Sequence, residues 1–541
     1  MRNLKFVNLF LVFVLVVLLL NSCTERKGDK AKDQQSSAGN FLIGWASGNI
    51  TPNKPVLLWG QMYVRVSEGI MDSLTVTALA LESGNGPSSK KAIMISCDLI
   101  GIGAELMNVV RNRLKVSLPE ISPEQVMLNA THTHTAPGYG SINDLKISYG
   151  VDLGVMASSD CLKLISDRIV EAAIAAWNNR KPGGISFGLG HAVVGHNRLR
   201  VDFSGKAAMY GKTNTPDFSH MEGFEDHSVN LLYTWDKQSK MTGVIINVAC
   251  PAQVTEEFYK VSADYWHNTR VEVRKRLGKD IYILPQCSSA GDQSPHVQIG
   301  TNAENRMQRI MGSDSTETGS FNIGRRKQIA TQIADAVTSV LPYMKDNIDW
   351  NPIFDHQIET LQLPRQLRKE IPVSASDFNN ARKEAEGLKK QYDQLLLDLK
   401  ENPGTMEKFR WYSNITKVYS KMKSANRIVE RFELEKQPKK ISDKGQPTLP
   451  VELHVLRIGD VAMATNPFEL YLDFGVRIKG RSPAIQTFLI NLANGSNGYL
   501  APARSAVGGA YGAAGAQVGP EGGQELVEKT LGHINSEWKI N

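Results

Sequence analysis

Two histidines one residue apart are the most informative chemical feature of the sequence. Residues 130–138 read ATHTHTAPG and follow the apolar stretch 126–128. If that stretch is a β-strand that runs into the motif, His132 and His134 point to the same side, because side chains two apart share a face. Two adjacent imidazoles suit a metal site, or one metal ligand beside one proton-transfer group. Two hydrogen-bonded surface histidines fit the spacing equally well.

Further reactive side chains also follow apolar stretches. Four candidates share this position: Cys250 after 244–248, Asp292 and Ser294 after 281–284, and Glu469 after 461–464. In α/β proteins, sites collect at the carboxyl ends of strands, so we expect these side chains to converge with the histidines. Polar residues also follow strands in ordinary loops, so one such residue alone carries little weight.

Two further turns carry side chains that could act on a substrate. Residues 289–296 contain Ser294 and His296, a possible nucleophile and base, but not the GxSxG elbow of serine hydrolases. A metal-free serine hydrolase is therefore one hypothesis. The glycine-rich segment 508–515 lacks the Lys-Ser or Lys-Thr of a phosphate loop. It either carries Tyr511 over a site or is a plain flexible loop.

The first forty residues indicate export. Residues 1–22 have a charged start and an apolar run from 6 to 20, which is typical of a secretion signal, and Cys23 follows. The junction resembles the bacterial lipobox, whose cysteine is acylated and becomes the mature N-terminus. An uncleaved membrane helix is the alternative, but the run is short for a span. Residues 23–40 are polar and predict a disordered tether. We therefore predict a bacterial lipoprotein anchored in the cell-envelope membrane.

The rest of the chain predicts one α/β domain. Residues 41–541 alternate apolar strands with amphipathic helices, which favours mixed β-sheets with packed helices. Residues 374–440 are dense in charge and predict an inserted helical hairpin, solvated rather than a partner surface. The net charge of +7 and the lack of a basic-aromatic pattern give no indication of nucleic-acid binding. The cysteines form no CxxC pairs, so the chain is not a disulfide scaffold.

The order of the motifs resembles the neutral or alkaline (non-lysosomal) ceramidases, zinc-dependent amidases that split N-acyl sphingosines. Residues 130–138 are similar to the most distinctive motif of that family, and AGDQSP at 290–295 is close to its Gly-Asp-x-Ser-Pro motif. Six further segments are similar to family segments: 196–198, 226–232, 262–264, 466–469, 497–499 and the loop that carries Tyr511. The resemblance runs from about residue 41 to the end of the chain. The small β-sandwich that ends many neutral ceramidases is expected to be absent.

The resemblance implies a set of site residues. The implied zinc ligands are His132, Cys250, Glu469 and Tyr499. The implied catalytic residues are His134, Arg198, Ser294 and Tyr511. One position departs from the family, because Cys250 lies at or beside the place of a second zinc-binding histidine. A thiolate is a good zinc ligand, but Cys250 could equally be a small buried filler.

The function that follows from the resemblance is zinc-dependent hydrolysis of an N-acyl amide bond by metal-activated water. Ceramide, a related N-acyl lipid or an N-acylated amino sugar is the expected substrate. Ser294 would hold the attacking water or act as the nucleophile. His134, Arg198 and Tyr511 would stabilise the oxyanion. The competing hypothesis is a non-catalytic binding lipoprotein that kept the fold and lost the metal.

Overall fold

Within the residues that the structure describes, the strands form one eight-stranded sheet, one four-stranded sheet and four smaller sheets of two or three strands. The computed structural model describes residues 41–84, 86–140, 149–312, 320–366, 374–435 and 447–539. The strands are β1 Phe41–Asn49, β2 Leu57–Leu58, β3 Arg65–Val66, β4 Thr75–Ser83, β5 Lys90–Cys97, β6 Val126–Ala130, β7 Lys181–His191, β8 His196–Asn197, β9 Leu199–Asp202, β10 Ala207–Met209, β11 Phe218–Met221, β12 Ser228–Asp236, β13 Met241–Val248, β14 Tyr282–Cys287, β15 Gln293–Ser294, β16 Phe354–Pro364, β17 Thr448–Ile458, β18 Val461–Thr465, β19 Glu469–Leu470, β20 Gln486–Ile490 and β21 Tyr499–Leu500.

Eleven α-helices lie in the described residues. They are α1 Ala104–Ser117, α2 Ser158–Asn178, α3 Tyr265–Leu277, α4 Thr301–Met311, α5 Ser320–Lys345, α6 Ala375–Glu401, α7 Tyr412–Glu435, α8 Leu472–Arg481, α9 Ala503–Val507, α10 Tyr511–Ala514 and α11 Pro520–Glu537. None of these described helices has the length and apolar character needed to span a membrane. The predicted signal at 1–22, Cys23 and the tether at 23–40 lie outside the described residues.

One strand-pairing pattern occurs three times. The runs β1-β4-β5-β6 and β7-β12-β13-β14 lie in the large sheet, and β16-β17-β18-β20 forms the four-stranded sheet. In each run the first three strands are antiparallel, and the fourth pairs in parallel with the third. Parallel partners end at the same edge of a sheet. Each run therefore presents two carboxyl ends side by side.

The carboxyl ends of the three runs meet. The backbone N–H of Ala252, after β13, donates to the carbonyl of Thr131, after β6, at 3.2 Å. The N–H of Asn491, after β20, donates to the carbonyl of Cys287 at 2.9 Å. The N–H of Ala130 donates to the carbonyl of Leu492 at 3.2 Å. These bonds bring the loops after all three parallel pairs into one place.

The two large sheets pack face to face, with helices on their outer faces. Leu79 and Leu232 of the eight-stranded sheet belong to the same buried apolar cluster as Leu456 and Phe488 of the four-stranded sheet. Helices pack on the outer faces through three further apolar clusters. The first contains residues of α1 and α2, the second residues of α3 and α5, and the third residues of α8 and α11. The predicted mixed α/β architecture is confirmed. Its core arises because each helix and each sheet face must bury an apolar surface against another element.

The charged segment after residue 374 contains two helices that pack on each other. The rings of Phe378, at the start of α6, and Phe432, at the end of α7, stack with centroids 4.3 Å apart, so the two helices are antiparallel. Tyr392 and Tyr412 attach the pair to the body of the protein. The Tyr392 hydroxyl donates to the carbonyl of Tyr149 at 2.7 Å, and the N–H of Val66 donates to the Tyr412 hydroxyl at 3.1 Å.

Candidate active site

The two histidines of the opening motif are neighbours, but not for the expected reason. Strand β6 ends at Ala130, so both histidines lie in the loop beyond it. His132 has φ 63°, in the left-handed region, and this turns the chain. The two rings meet edge to face, with centroids 4.9 Å apart and planes at 80°. Backbone reversal at His132, and not alternation along a strand, therefore brings the imidazoles together.

His132 is oriented as a metal-binding histidine usually is. Its Nδ1 lies 2.5 Å from the carbonyl oxygen of Ile100, so Nδ1 carries the hydrogen and Nε2 keeps its lone pair. Nε2 lies 3.4 Å from Oε2 of Glu469. Two ligands of a tetrahedral zinc, each about 2.0–2.1 Å from the metal, are about 3.4 Å apart. The spacing of these two donors therefore fits a shared zinc ion.

A two-residue ribbon places Tyr499 beside Glu469. Strands β19 and β21 run in parallel and pair Glu469 with Tyr499, so the Tyr499 hydroxyl lies within the field of the Glu469 carboxylate. Burial alone would raise the pKa of Glu469, but His132, Arg198 and the Tyr499 hydroxyl hold that pKa below its ordinary value. Glu469 is therefore an anion at neutral pH. Burial and the charge of Glu469 raise the pKa of Tyr499.

A second ribbon places Arg198 beside Ser294. Strand β8 ends at Asn197, pairs antiparallel with β15, and so brings Arg198 to the start of the Asp292 turn. Arg198 Nη2 donates to the carbonyl of Gly291 at 2.8 Å and to the Tyr499 hydroxyl at 3.1 Å. Burial opposes its charge, but Tyr499, Tyr210 and Glu469 together raise the pKa of Arg198. The site therefore contains a buried, permanent positive charge.

Ser294 is fully buried and its oxygen is fixed by two donors. The Tyr210 hydroxyl donates to Ser294 Oγ at 3.0 Å, and the backbone N–H of His296 donates to the same atom at 3.0 Å. The Gln253 amide donates to the Tyr210 hydroxyl at 2.5 Å, which sets the direction of this chain of bonds. Since a hydroxyl oxygen has two acceptor positions, the Ser294 hydrogen is left free to donate to a substrate or water.

Asp292 stabilises the same turn through hydrogen bonds. Its Oδ1 accepts from the backbone N–H of Leu472 at 2.9 Å, and its Oδ2 accepts from the Asn197 amide at 3.0 Å. It thus ties the start of α8 to β8. Burial raises the pKa of Asp292, although these hydrogen bonds oppose the rise.

Cys250 does not join the proposed zinc ligands. It is fully buried in the apolar cluster of Val248, Val254 and Tyr265, and its thiol donates to the carbonyl of Pro251 at 3.5 Å. Burial raises the pKa of Cys250 well above its ordinary value, so it remains a thiol. In the described part of the chain no three His, Cys, Asp or Glu side chains are grouped as metal ligands. The further oxygen that the fold places beside His132 and Glu469 is the Tyr499 hydroxyl, because Tyr499 pairs with Glu469.

Tyr511 lies at the outer side of the site. It begins α10, and its ring centroid is 5.6 Å from that of Tyr499, with planes at 72°. The side chain is 42% exposed, so it can reach both the solvent and a molecule bound beside Tyr499.

His134 faces a carboxylate that the sequence motifs did not indicate. Its Nδ1 lies 3.4 Å from Oε2 of Glu256, and Nε2 of His296 lies 3.0 Å from Oε1 of the same carboxylate. Burial first, and then the charges of His132 and Arg198, lower the pKa of His134 well below its ordinary value. His134 is therefore neutral at neutral pH and carries a hydrogen on only one ring nitrogen.

Solved structures of ceramidases share this architecture. The crystal structure of neutral ceramidase from Pseudomonas aeruginosa aligns with a TM-score of 0.61 and 16% identity, over 92% of this chain and 75% of that one. The chain has a neutral ceramidase-like fold. A ceramidase complexed with C2 gives the same TM-score and identity, over 93% of this chain and 76% of that one. The sequence matches no family model and no curated protein sequence.

The neutral ceramidase-like fold brings together seven of the eight site residues that the resemblance implies, all except Cys250. It also adds three residues that the sequence analysis did not predict. Tyr210, Gln253 and Glu256 line the site but belong to no motif that we recognised. Gln253 and Glu256 follow β13, so the rule that sites collect after strands could have indicated them. Tyr210, in a loop with φ 54°, has no comparable signal in the sequence.

Proposed function

We propose that the protein hydrolyses the amide bond of an N-acyl compound and uses a zinc ion held by His132, Glu469 and Tyr499. The observation that carries the proposal is the 3.4 Å spacing of His132 Nε2 and Glu469 Oε2, with the other nitrogen of His132 fixed by a carbonyl. A zinc ion, when bound, supplies a Lewis acid for the amide carbonyl and for water.

The other residues of the site have separate tasks in this proposal. Arg198 places a buried positive charge beside Tyr499, where it would stabilise the oxyanion formed from the amide carbonyl. Ser294 offers a free hydroxyl hydrogen and would hold the attacking water or the acyl oxygen. Tyr511 would cover the substrate from the exposed side.

The hypothesis of a metal-free serine hydrolase finds less support. The Nε2 of His296 points to Glu256, and only the backbone N–H of His296 reaches Ser294 Oγ. Among the residues that the structure describes, no imidazole nitrogen is hydrogen-bonded to Ser294 Oγ. A nucleophilic serine needs a base within hydrogen-bond reach, so we favour a role in holding water.

The proposed substrate is ceramide, another N-acyl lipid or an N-acylated amino sugar. The likeness to ceramidase structures supports this class of compound, and an N-acyl amide offers the carbonyl that the site would polarise. A panel of these three kinds of substrate, followed by release of free fatty acid or acetate, would rank them.

We also propose that the protein acts in the cell envelope as a lipoprotein anchored through Cys23. The signal-like residues 1–22 and the cysteine that follows them support this location. Growth with a labelled fatty acid should label the wild-type protein. Cys23→Ala should remove the label, and a label that persists in this variant would disprove acylation at Cys23.

Metal content and activity test the proposed function together. Purified wild type should bind about one zinc per chain and hydrolyse at least one N-acyl substrate. His132→Ala and Glu469→Gln should lose both properties. Cys250→Ala is the matched control, because Cys250 lies in an apolar cluster, and it should keep zinc. Wild type that binds no zinc when zinc is supplied would exclude the amidase and favour the binding lipoprotein.

A further inference from the structure

We propose that Tyr210 is a positioning residue that restricts Ser294 to the donation of its hydroxyl hydrogen and so prevents Ser294 from attacking the substrate. This inference rests on the proposed amidase function. It assigns a task to a tyrosine that lies outside every recognised motif. It also decides between a nucleophilic and a non-nucleophilic Ser294, which the sequence left open.

Both acceptor positions of Ser294 Oγ are occupied. The Tyr210 hydroxyl donates to Oγ at 3.0 Å, and the backbone N–H of His296 donates to Oγ at 3.0 Å. A serine oxygen has two lone pairs and one hydrogen, so the hydroxyl can then only donate. A nucleophile must offer a lone pair to the carbon that it attacks. Ser294 would first have to lose one of these two hydrogen bonds.

Gln253 sets the direction of the Tyr210 hydrogen bond. Gln253 follows β13 and is 1% exposed, and its side-chain amide donates to the Tyr210 oxygen at 2.5 Å. An amide N–H donates and does not accept, so the hydroxyl hydrogen of Tyr210 is directed to Ser294. The hydrogen bonds therefore run in one direction, from Gln253 through Tyr210 to Ser294, and end at the free hydrogen of Ser294.

The turn that carries Tyr210 has an unfavourable backbone conformation. Tyr210 follows β10 and has φ 54°, in the left-handed region that a bulky residue rarely adopts. Its N–H donates to the carbonyl of Arg198 at 2.9 Å. The next residue, Gly211, allows a close approach, because a Cβ there would lie 2.4 Å from Cδ of Arg200. Such conformations persist where the surroundings fix them, and they concentrate at functional sites.

Tyr210 and Ser294 lie next to the charge that the proposed reaction uses. The guanidinium carbon of Arg198 is 5.9 Å from the centre of the Tyr210 ring and 5.7 Å from the centre of the Tyr499 ring. One of these tyrosines holds Ser294, and the other pairs with Glu469. An oxygen that binds beside Arg198, from water or from the acyl group, would accept the Ser294 hydrogen.

Ser294 keeps its hydrogen through the whole reaction in this arrangement. The water oxygen bonds to the amide carbon, and the carbon–nitrogen bond breaks. One water hydrogen remains on the carboxylic acid, and the other goes to the amine. Ser294 forms no bond to carbon. Tyr210 does not change its protonation state, because a phenol keeps its hydrogen at neutral pH.

A double-mutant cycle tests whether Tyr210 acts through Ser294. Ser294→Ala removes the donor and should lower kcat about 100-fold. Tyr210→Phe removes only the hydroxyl and should lower kcat about 10-fold, the effect of one hydrogen bond, with KM changed less than about twofold. The double variant should be no slower than Ser294→Ala, because effects within one hydrogen-bond network are not additive. A further 10-fold loss in the double variant would overturn the proposal.

Tyr233→Phe is the matched control. Tyr233 is also buried, and its hydroxyl donates to the carbonyl of Val337 at 2.6 Å, outside the site. The control should lower the urea-unfolding midpoint as much as Tyr210→Phe does and leave kcat unchanged. An equal loss of kcat in the two Phe variants would refute a positioning role for Tyr210.

Neutron diffraction keeps the inference separate from the proposed function. If the wild type hydrolyses no N-acyl substrate, the proposed function fails. Neutron data from deuterium-exchanged crystals should nevertheless show the hydroxyl deuterium of Tyr210 between its own oxygen and Ser294 Oγ. A deuterium of Ser294 that points to the Tyr210 oxygen would refute the restriction of Ser294.

Discussion

Arg65 shows how one side chain can hold a site together. Its guanidinium is fully buried and donates to four backbone carbonyls, which come from three separate parts of the chain around residues 59, 134 and 256. An arginine suits this place because its planar fork directs several N–H groups at once, which a lysine ammonium cannot do. The sequence does not indicate this role of Arg65, since Arg65 lies in no motif.

Removal of the Arg65 guanidinium should destabilise the protein strongly. Arg65→Met should lower the free energy of unfolding by about 3–5 kcal/mol, because buried carbonyls lose a charged partner. Arg65→Lys should fall between Met and wild type. The surface pair of Arg113 with Asp167 gives the control, and Arg113→Met should cost at most about 1 kcal/mol. Urea unfolding curves measure all three variants, and equal midpoints for Arg65→Met and Arg113→Met would contradict the argument.

The predictability of the site differs between its residues for physical reasons. The convergence of His132, Ser294 and Glu469 was predictable because imidazole, hydroxyl and carboxylate groups in short motifs after apolar strands are typical of a site. Cys250 was ambiguous because a cysteine suits both a metal and an apolar core, and the structure places it in a core. Glu256 lies in no recognised motif. Its position after β13 could have indicated it, but only tertiary contacts turn its side chain towards His134.

At the scale of elements, the long periodic segments were predictable and the short ribbons were not. The hairpin of β12 and β13 and the helix α3, with Asp264 at its N-cap and Gly278 at its end, follow from local patterns. Strands β8, β15, β19 and β21 have two residues each, too few for any alternation. These ribbons nevertheless pair Glu469 with Tyr499 and bring Arg198 to Ser294. The site therefore depends on elements that only the tertiary fold creates.

The helical pair α6–α7 should depend on Tyr412 for its attachment. Tyr412 is buried in the cluster between the pair and the body, and its hydroxyl accepts from Val66 N–H. Tyr412→Phe should cost about 1 kcal/mol for one hydrogen bond, and Tyr412→Ala about 3–5 kcal/mol for the lost packing. Limited proteolysis within residues 402–411 should follow the same order. Equal stability of the two variants would show that the ring does not pack as described.

A pair of imidazoles, the half-buried His356 on β16 and the buried His454 on β17, should make stability depend on pH. His356 Nε2 lies 2.8 Å from His454 Nδ1, and His454 Nε2 lies 2.6 Å from Glu452 Oε1. Burial, and then the charge of His454, lowers the pKa of His356 to about 3. Burial alone would raise the pKa of Glu452, but Arg111 and His454 bring it to about 2.

The sign of the pH effect follows from these values. Between about pH 6.5 and pH 3 the unfolded chain binds a proton at His356 that the folded chain does not, so stability falls as the pH falls. The slope is at most about 1.4 kcal/mol per pH unit from this group. His356→Gln should flatten the dependence of urea unfolding between pH 7.5 and 5. His220→Gln, at an exposed histidine, should leave it unchanged, and an unaltered slope in His356→Gln would refute the assignment.

At the scale of the whole molecule, the site is formed jointly by three similar runs of strands. Each run ends in a parallel pair, and the backbone bonds among Thr131, Ala252 and Asn491 join their carboxyl ends. The proposed zinc ligands His132 and Glu469 come from the first and third runs, and Glu256 and Ser294 come from the second. No run alone contains a complete site. Any molecule that binds there should therefore stabilise the association of all three.

Zinc should accordingly stabilise the fold as a whole. A ligand that binds only the folded state adds about 2.7 kcal/mol at a concentration 100 times its Kd, which for a unit of this size raises Tm by about 2–3 °C. Glu469→Gln removes one donor and should show no rise in Tm with zinc, while Cys250→Ala should show the wild-type rise. A chelator should reverse the shift in the wild type and in Cys250→Ala. A rise that persists in Glu469→Gln would mean that zinc binds elsewhere on the protein.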